Sequence, residues 1–94
     1  MAYITLTHWT TEKLTDDMLA AANDKFIPMI IKVGASKVQI MRTGESSICV
    51  ITRYKDAGTA VAAQQRIAHI RSQAASEFPM TIVSTQAGEI IAGS

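Results

Sequence analysis

Hydrophobic spacing switches from a period of two residues to a period near 3.6 and back, and this chain does so twice within 94 residues. No other feature restricts the fold as much, because the first spacing reads as a strand and the second as a helix. Residues 2–9, AYITLTHW, are β-branched and aromatic and nearly alternate, the pattern of a strand. Ile4, Leu6 and His8 share one face of it; Tyr3, Thr5, Thr7 and Trp9 share the other. Thr15, ahead of Asp16 and Asp17, starts a helix: its hydroxyl can cap a free N–H, and the two carboxylates lie near the positive end of the helix dipole. Leu14, Met18, Ala21, Ala22, Met29 and Val33 then fall on one side, and Gly34 stops the helix. Pro28 lies inside it, forfeits the bond to the carbonyl of Asp24 and bends it. Around that proline, Phe26, Ile27, Met29, Ile30 and Ile31 are apolar on every side, whereas a simple surface helix has a polar back. This half of the helix is expected to be covered twice, once by its own sheet and once by something else.

The second half repeats the order. Residues 36–43, SKVQIMRT, alternate with Val38, Ile40 and Arg42 on one face, Gly44-Glu45 makes a tight turn, and residues 46–54, SSICVITRY, return as the second strand of a hairpin. Asp56 caps a second helix with a stripe of Ala60, Ala63, Ile67, Ile70, Ala74 and Phe78. Gln64, Gln65, Arg66, Arg71 and Gln73 stay largely outside that stripe, and Pro79 ends the helix. Residues 80–86 form a fourth strand, and Glu89-Ile90-Ile91 beyond Gly88 has the look of a fifth. The order β-α-β-β-α-β is the ferredoxin-like split βαβ. Right-handed crossovers place its antiparallel strands in the order 4-1-3-2 with both helices on one face. If Ile4 and Leu6 face the helices, the bare face carries Tyr3, Thr5, Thr7 and Trp9, and a half-apolar bare face needs cover.

Composition narrows the function classes. The chain is 48% hydrophobic but only 5% aromatic, its apolar mass being 14 Ala, 12 Ile and 5 Met. That excludes disorder, and the length predicts one domain over 1–94 with a thin core, since a chain this short buries only about 60–65% of its unfolded surface. Nine Lys and Arg against eight Asp and Glu are scattered, so neither nucleic acid nor an anionic membrane is an expected partner. Cys49, alone in an apolar run, reads as a buried structural thiol. No stretch approaches the roughly 18 apolar residues of a membrane span, and the start lacks the pattern of a signal peptide. The expectation is a cytoplasmic chain, complete at its Met1.

The whole pattern resembles the dimeric α/β-barrel superfamily: the length, the order of elements, the bare sheet face and the tail GEIIAGS. The resemblance covers nearly all of the chain and contains no sharp motif. It implies that two protomers stack sheet on sheet and that the C-terminal segment reaches the partner. Tyr3, Thr5, Thr7 and Trp9, with Ile90 and Ile91, are then the expected dimer interface. The superfamily includes quinone-forming monooxygenases, haem-degrading monooxygenases, muconolactone-isomerase-like enzymes, stress-response dimers and uncharacterised small bacterial proteins, which this chain resembles most. The haem-degrading members carry a histidine on their second helix. Here His69 sits about 135° from the centre of the apolar stripe, at 100° per residue, and strand 1 offers Thr5 and Thr7 where those enzymes have Asn. Neither haem nor any other cofactor is expected, and no metal-ligand spacing is present. The quinone-forming enzymes use an Asn, Trp, Tyr and Arg set; Asn23, Trp9, Tyr54 and Arg42 supply the residue types without a positional match.

The candidate site is a cleft between sheet and helices. Leu14, Met18, Leu19, Phe26, Met29, Met41, Ile67 and Ile70 are its expected lining, because Met and Ala leave adaptable volume where large rings would fill it. His8 follows Ile4 and Leu6 in period, and Arg42 follows Val38 and Ile40, so both are expected at one mouth of the cleft. There they could anchor a carboxylate or phenolate, and they are the candidate catalytic residues. The competing reading is a strand-end His satisfied by backbone and a strand-end Arg in solvent. Trp9 could floor an aromatic site, but the interface is the preferred place for it. The expected function is a homodimeric binder of a small, largely apolar molecule, fatty-acid-like or an aromatic acid. The alternative is a cofactor-independent monooxygenase or isomerase acting on a small aromatic or a lactone.

Overall fold

The computed structural model describes all of residues 1–94. Its elements are β1 (Tyr3–Thr11), α1 (Asp16–Ala21), a π-helical turn (Ala22–Phe26), α2 (Ile27–Lys32), β2 (Lys37–Gly44), β3 (Ser47–Tyr54), α3 (Ala57–Glu77) and β4 (Met80–Glu89). The four strands form one sheet in the order β2-β3-β1-β4, with every neighbouring pair antiparallel. This is the expected ferredoxin-like α+β topology. Both predicted caps are made: the Thr15 side chain accepts from the Met18 N–H at 3.2 Å, and the Asp56 carboxylate accepts from the Thr59 N–H at 2.7 Å.

Pro28 acts differently from a simple kink. The chain takes a π-turn over Ala22–Phe26, where the Ile27 N–H reaches back to the Ala22 carbonyl, and α2 begins with the proline in its first turn. The residues before it are helical as well, so the proline forfeits one bond to the preceding turn. The wider turn absorbs the proline without ending the helix. Gly34, at φ 128°, then takes the chain out of α2 in a conformation that side-chain-bearing residues rarely adopt.

The expected fifth strand is absent as a separate element. β4 runs straight through Gly88 to Glu89, because Ala87 and Gly88 stay in register with Thr5 and Ile4 of β1. No turn intervenes, so the glycine does not break the strand; Ile90 adds one bond from its N–H to the Ala2 carbonyl, at 2.9 Å.

The faces of β1 are the reverse of the sequence expectation. Tyr3, Thr5, Thr7 and Trp9 point at the helices, where Thr7 and Trp9 retain 3% and 5% exposure. Ile4, Leu6 and His8 occupy the uncovered face. Pairing fixes this: Trp9 lies opposite Ile48, Thr7 opposite Val50 and Tyr3 opposite Tyr54, and a one-residue slip would exchange the two faces. Only the helix side is deep enough for three large rings, Tyr3, Trp9 and Tyr54. The assignment of Tyr3, Thr5, Thr7 and Trp9 to a dimer interface is therefore corrected. The bare face instead carries Ile4, Leu6, Cys49, Ile51 and Met41, with Met41 half exposed.

At the end of the sheet where β1 and β4 meet α1, Thr11 donates through its hydroxyl to the Pro79 carbonyl, and the Ser46 hydroxyl donates to the Glu12 carbonyl. At the opposite end Tyr54, Ala35, Ala60 and Ala63 make a small core, with Tyr3, Ile30, Val33, Val38 and Ile67 packed against it. Between these ends lies the cleft. No helix is long and apolar enough to cross a membrane.

Candidate functional site

The cleft is closed below by the sheet and above by the three helices. From the sheet come Thr7 and Trp9 of β1, Ile40 of β2, Ile48, Val50 and Thr52 of β3, and Met80 of β4. The two-residue period puts all of them on one side, and the antiparallel register sets them side by side. From the helices and the residues that flank them come Leu14, Met18, Leu19, Ala22, Phe26, Ile27 and Ile30 on one side, and Ile67, Ile70, Arg71, Ala74 and Phe78 on the other. Phe26 and Phe78 meet edge to face across the top with centroids 6.4 Å apart, a favoured arrangement of two rings. Lys25, next along the chain, forms an ion pair with Glu77 that ties the same two elements together. That lysine, and then Gln73, hold the Glu77 carboxyl below its ordinary value by hydrogen bonding.

The volume of the cleft is about 90 Å³. Ligand cavities for drug-sized molecules are typically about 300–1,000 Å³, and an apolar cavity of about 150 Å³ already admits benzene. At about 90 Å³ the cleft in this form is smaller than such a cavity and suits a body of a few methylenes; a ring needs its walls to shift. Anything longer needs the α1 flank to move.

Of the residues expected to line this space, Leu14, Met18, Leu19, Phe26, Ile67 and Ile70 do so. Met29 faces an outer groove with Lys32, Val33, Gln65, Arg66, His69 and Ile70 instead. Met41 lies opposite Cys49 on the uncovered sheet face. His8 is on that face too, its Nε2 3.9 Å from the Cys49 sulfur, because it shares the period of Ile4 and Leu6. Burial raises the Cys49 thiol above its ordinary value, as befits an unreactive thiol. Arg42 lies opposite Ile48 but is exposed beside a register shift at the end of β2. His8 and Arg42 do not come together at the mouth of the cleft, and that pairing is corrected.

The sequence reading missed Arg71. It lies one position past Ile70, outside the apolar stripe by helical angle. Its long side chain nevertheless reaches under α3, and its guanidinium donates to Thr7 Oγ1 at 2.9 Å. Arginine can run its methylenes along apolar surface and deliver the charge elsewhere, so helical angle alone misplaces it. Burial raises the phenol of Tyr54, and the charge of Arg71 opposes that rise. Trp9 lines the cleft and not a dimer contact. No three metal-ligating side chains cluster anywhere in the chain.

With fold and cleft in view, the class is that of the fold: a ferredoxin-like α+β chain with an apolar cleft under its helices. Among solved structures it is similar to SnoaB, a cofactor-independent oxygenase from Streptomyces nogalater, with a TM-score of 0.74 and 9% identity over 98% of this chain and 95% of that one. It is similar to a dimeric ferredoxin-like protein from an uncultured marine organism, with a TM-score of 0.68 and 10% identity over 100% and 98% of the two chains. A protein of unknown function from Nitrosomonas europaea gives a TM-score of 0.62 and 19% identity over 100% and 94%. These identities carry the fold and not an activity. No protein-family model matches the chain, and no curated protein matches it in sequence.

Proposed function

We propose that the 94 residues act as one unit, a homodimer that binds a small, largely apolar molecule in the cleft between sheet and helices. The observation that carries the binding half is the cleft itself: of its 19 lining residues, 16 are hydrophobic, half of those Ile or Leu, with Met18 and Met80 as the most adaptable parts of the wall. Native mass spectrometry of the purified protein, followed by titration with hexanol and with a panel of aromatic acids, tests it. Bound small molecules or saturable binding are expected; no co-purifying ligand and no binding from the panel would count against it.

Surface area supports the dimer. A compact monomer of this mass exposes roughly 5,300 Å² by size scaling, whereas this protomer exposes 6057 Å². The excess marks a protomer more open than a self-contained monomer of its size. The open sheet face, with Ile4, Leu6 and Ile51, together with the exposed Ile90 and Ile91, is the surface we assign to the partner copy.

A second reading is favoured by the likeness to a cofactor-independent oxygenase and by Trp9 and Arg71 in one apolar cleft. It is a cofactor-independent monooxygenase or isomerase acting on a small aromatic or a lactone. It predicts turnover of such substrates that survives His8→Ala and Arg42→Ala and is lost in Arg71→Gln.

A further inference from the structure

The cleft holds a single charge, and the protein does not neutralise it. Arg71 is half-buried, and its guanidinium makes one hydrogen bond, to Thr7 Oγ1. A guanidinium has five N–H donors and no acceptor, so most of its hydrogen-bonding capacity is free of protein partners. The one ion pair of the chain joins Lys25 to Glu77, and no carboxylate faces Arg71. Charges withdrawn from water are normally paired, because an unpaired one carries a large desolvation cost. A surface arginine escapes that cost by extending into solvent. This one instead turns under its helix, toward a wall of Trp9, Val50, Ile67 and Ile70. Thr52, 5% exposed, adds a hydroxyl one diagonal position from Thr7 on the neighbouring strand.

We infer that the cleft takes a small carboxylate, aromatic or short aliphatic, whose charged oxygens pair with the guanidinium of Arg71 beside Thr7. Its apolar body lies against Trp9, Met18, Phe26 and Ile70. The planar fork of arginine matches a carboxylate with two parallel bonds, and the low-dielectric wall strengthens that pairing relative to water. The volume of about 90 Å³ keeps the body small, a few methylenes as the cleft stands and one ring only with a shift of its walls. This inference rests on the cleft being a ligand site, and it replaces His8 and Arg42 as the head-group anchors.

Two matched probe pairs test it on the full chain by calorimetric titration: benzoate against benzyl alcohol, and hexanoate against hexanol. The expected result is that an acid binds about 10- to 100-fold more tightly than its alcohol, the range of a charge-assisted hydrogen bond. Whichever pair shows it tells aromatic from aliphatic. In Arg71→Gln the preference is expected to vanish while alcohol binding stays, which also reports that the variant is folded. Thr7→Val, which keeps the guanidinium, is expected to retain at least part of the preference. Equal binding of acid and alcohol by the native chain overturns the inference and leaves the apolar cleft standing. So does a preference that persists in Arg71→Gln. Binding of neither member of either pair overturns the cleft reading and this inference with it.

Discussion

Trp9 shows how one side chain separates two readings of the same strand. It is 5% exposed, beneath the helices, so its environment belongs to the protomer and not to a subunit contact. Its fluorescence is therefore expected to stay constant on dilution through dimer dissociation and to change on titration with a cleft ligand; a red shift on dilution would return Trp9 to the interface. Trp9→Ala is expected to cost about 3–5 kcal/mol in urea unfolding, the range for a buried large ring. Asp56 gives a pH prediction. Its carboxyl is held below the ordinary value, first by the backbone N–H of Thr59 and then by the Thr59 hydroxyl. A carboxylate more acidic in the folded state contributes stability that is complete above its unfolded pKa, near ~4. That contribution disappears as pH falls through the lower folded value. Asp56→Asn keeps a good cap but has no proton to gain. Urea melts from pH 7 down to pH 3 are expected to show near-native stability at neutrality and a shallower acid loss. Such residues were legible because a cap is local chemistry. Arg71 was not, because where a long flexible side chain ends depends on what lies beneath it.

Most element identities could be read from spacing, and the departures occur where two local signals competed. Pro28 argued for a kink inside a helix, and the chain answered with a π-turn that puts the proline in the first turn of α2. Gly88 argued for a break, but continued pairing with β1 outweighed it. The caps carry the opposite lesson: Thr15→Ala removes the acceptor for the Met18 N–H and is expected to cost about 1 kcal/mol, measurable as a shift of the urea midpoint. Gly34 is held at φ 128° with Thr59 Cγ2 3.4 Å from where a Cβ would sit. Gly34→Ala is expected to cost about 1–3 kcal/mol; an unchanged midpoint would show that the connection between α2 and β2 relaxes freely.

At the scale of the whole molecule, only 13 of 94 residues are buried in the protomer, too few to leave the open sheet face in water without consequence. Sedimentation is expected to give a mass near twice 10.1 kDa, and a monomer at micromolar concentration would refute the sheet-on-sheet dimer. Leu6 and Ile51 lie directly opposite each other on that face, so Leu6→Asp is expected to yield a monomer, whereas Thr7→Val, pointing the other way, leaves assembly intact. Periodicity, caps and turn residues by themselves determined the strands, the helices, their order and hence the sheet topology, since each of those signals acts over a few neighbouring residues. They could not decide which face of β1 meets the helices. Ile4 and Leu6 on one side and Tyr3 and Trp9 on the other are both apolar enough to be buried, and both sides of such a sheet want cover. Cross-strand register and the depth beneath α3 made that choice. It put Trp9 and Thr7 in the cleft, carried His8 out of it, and brought Arg71 in.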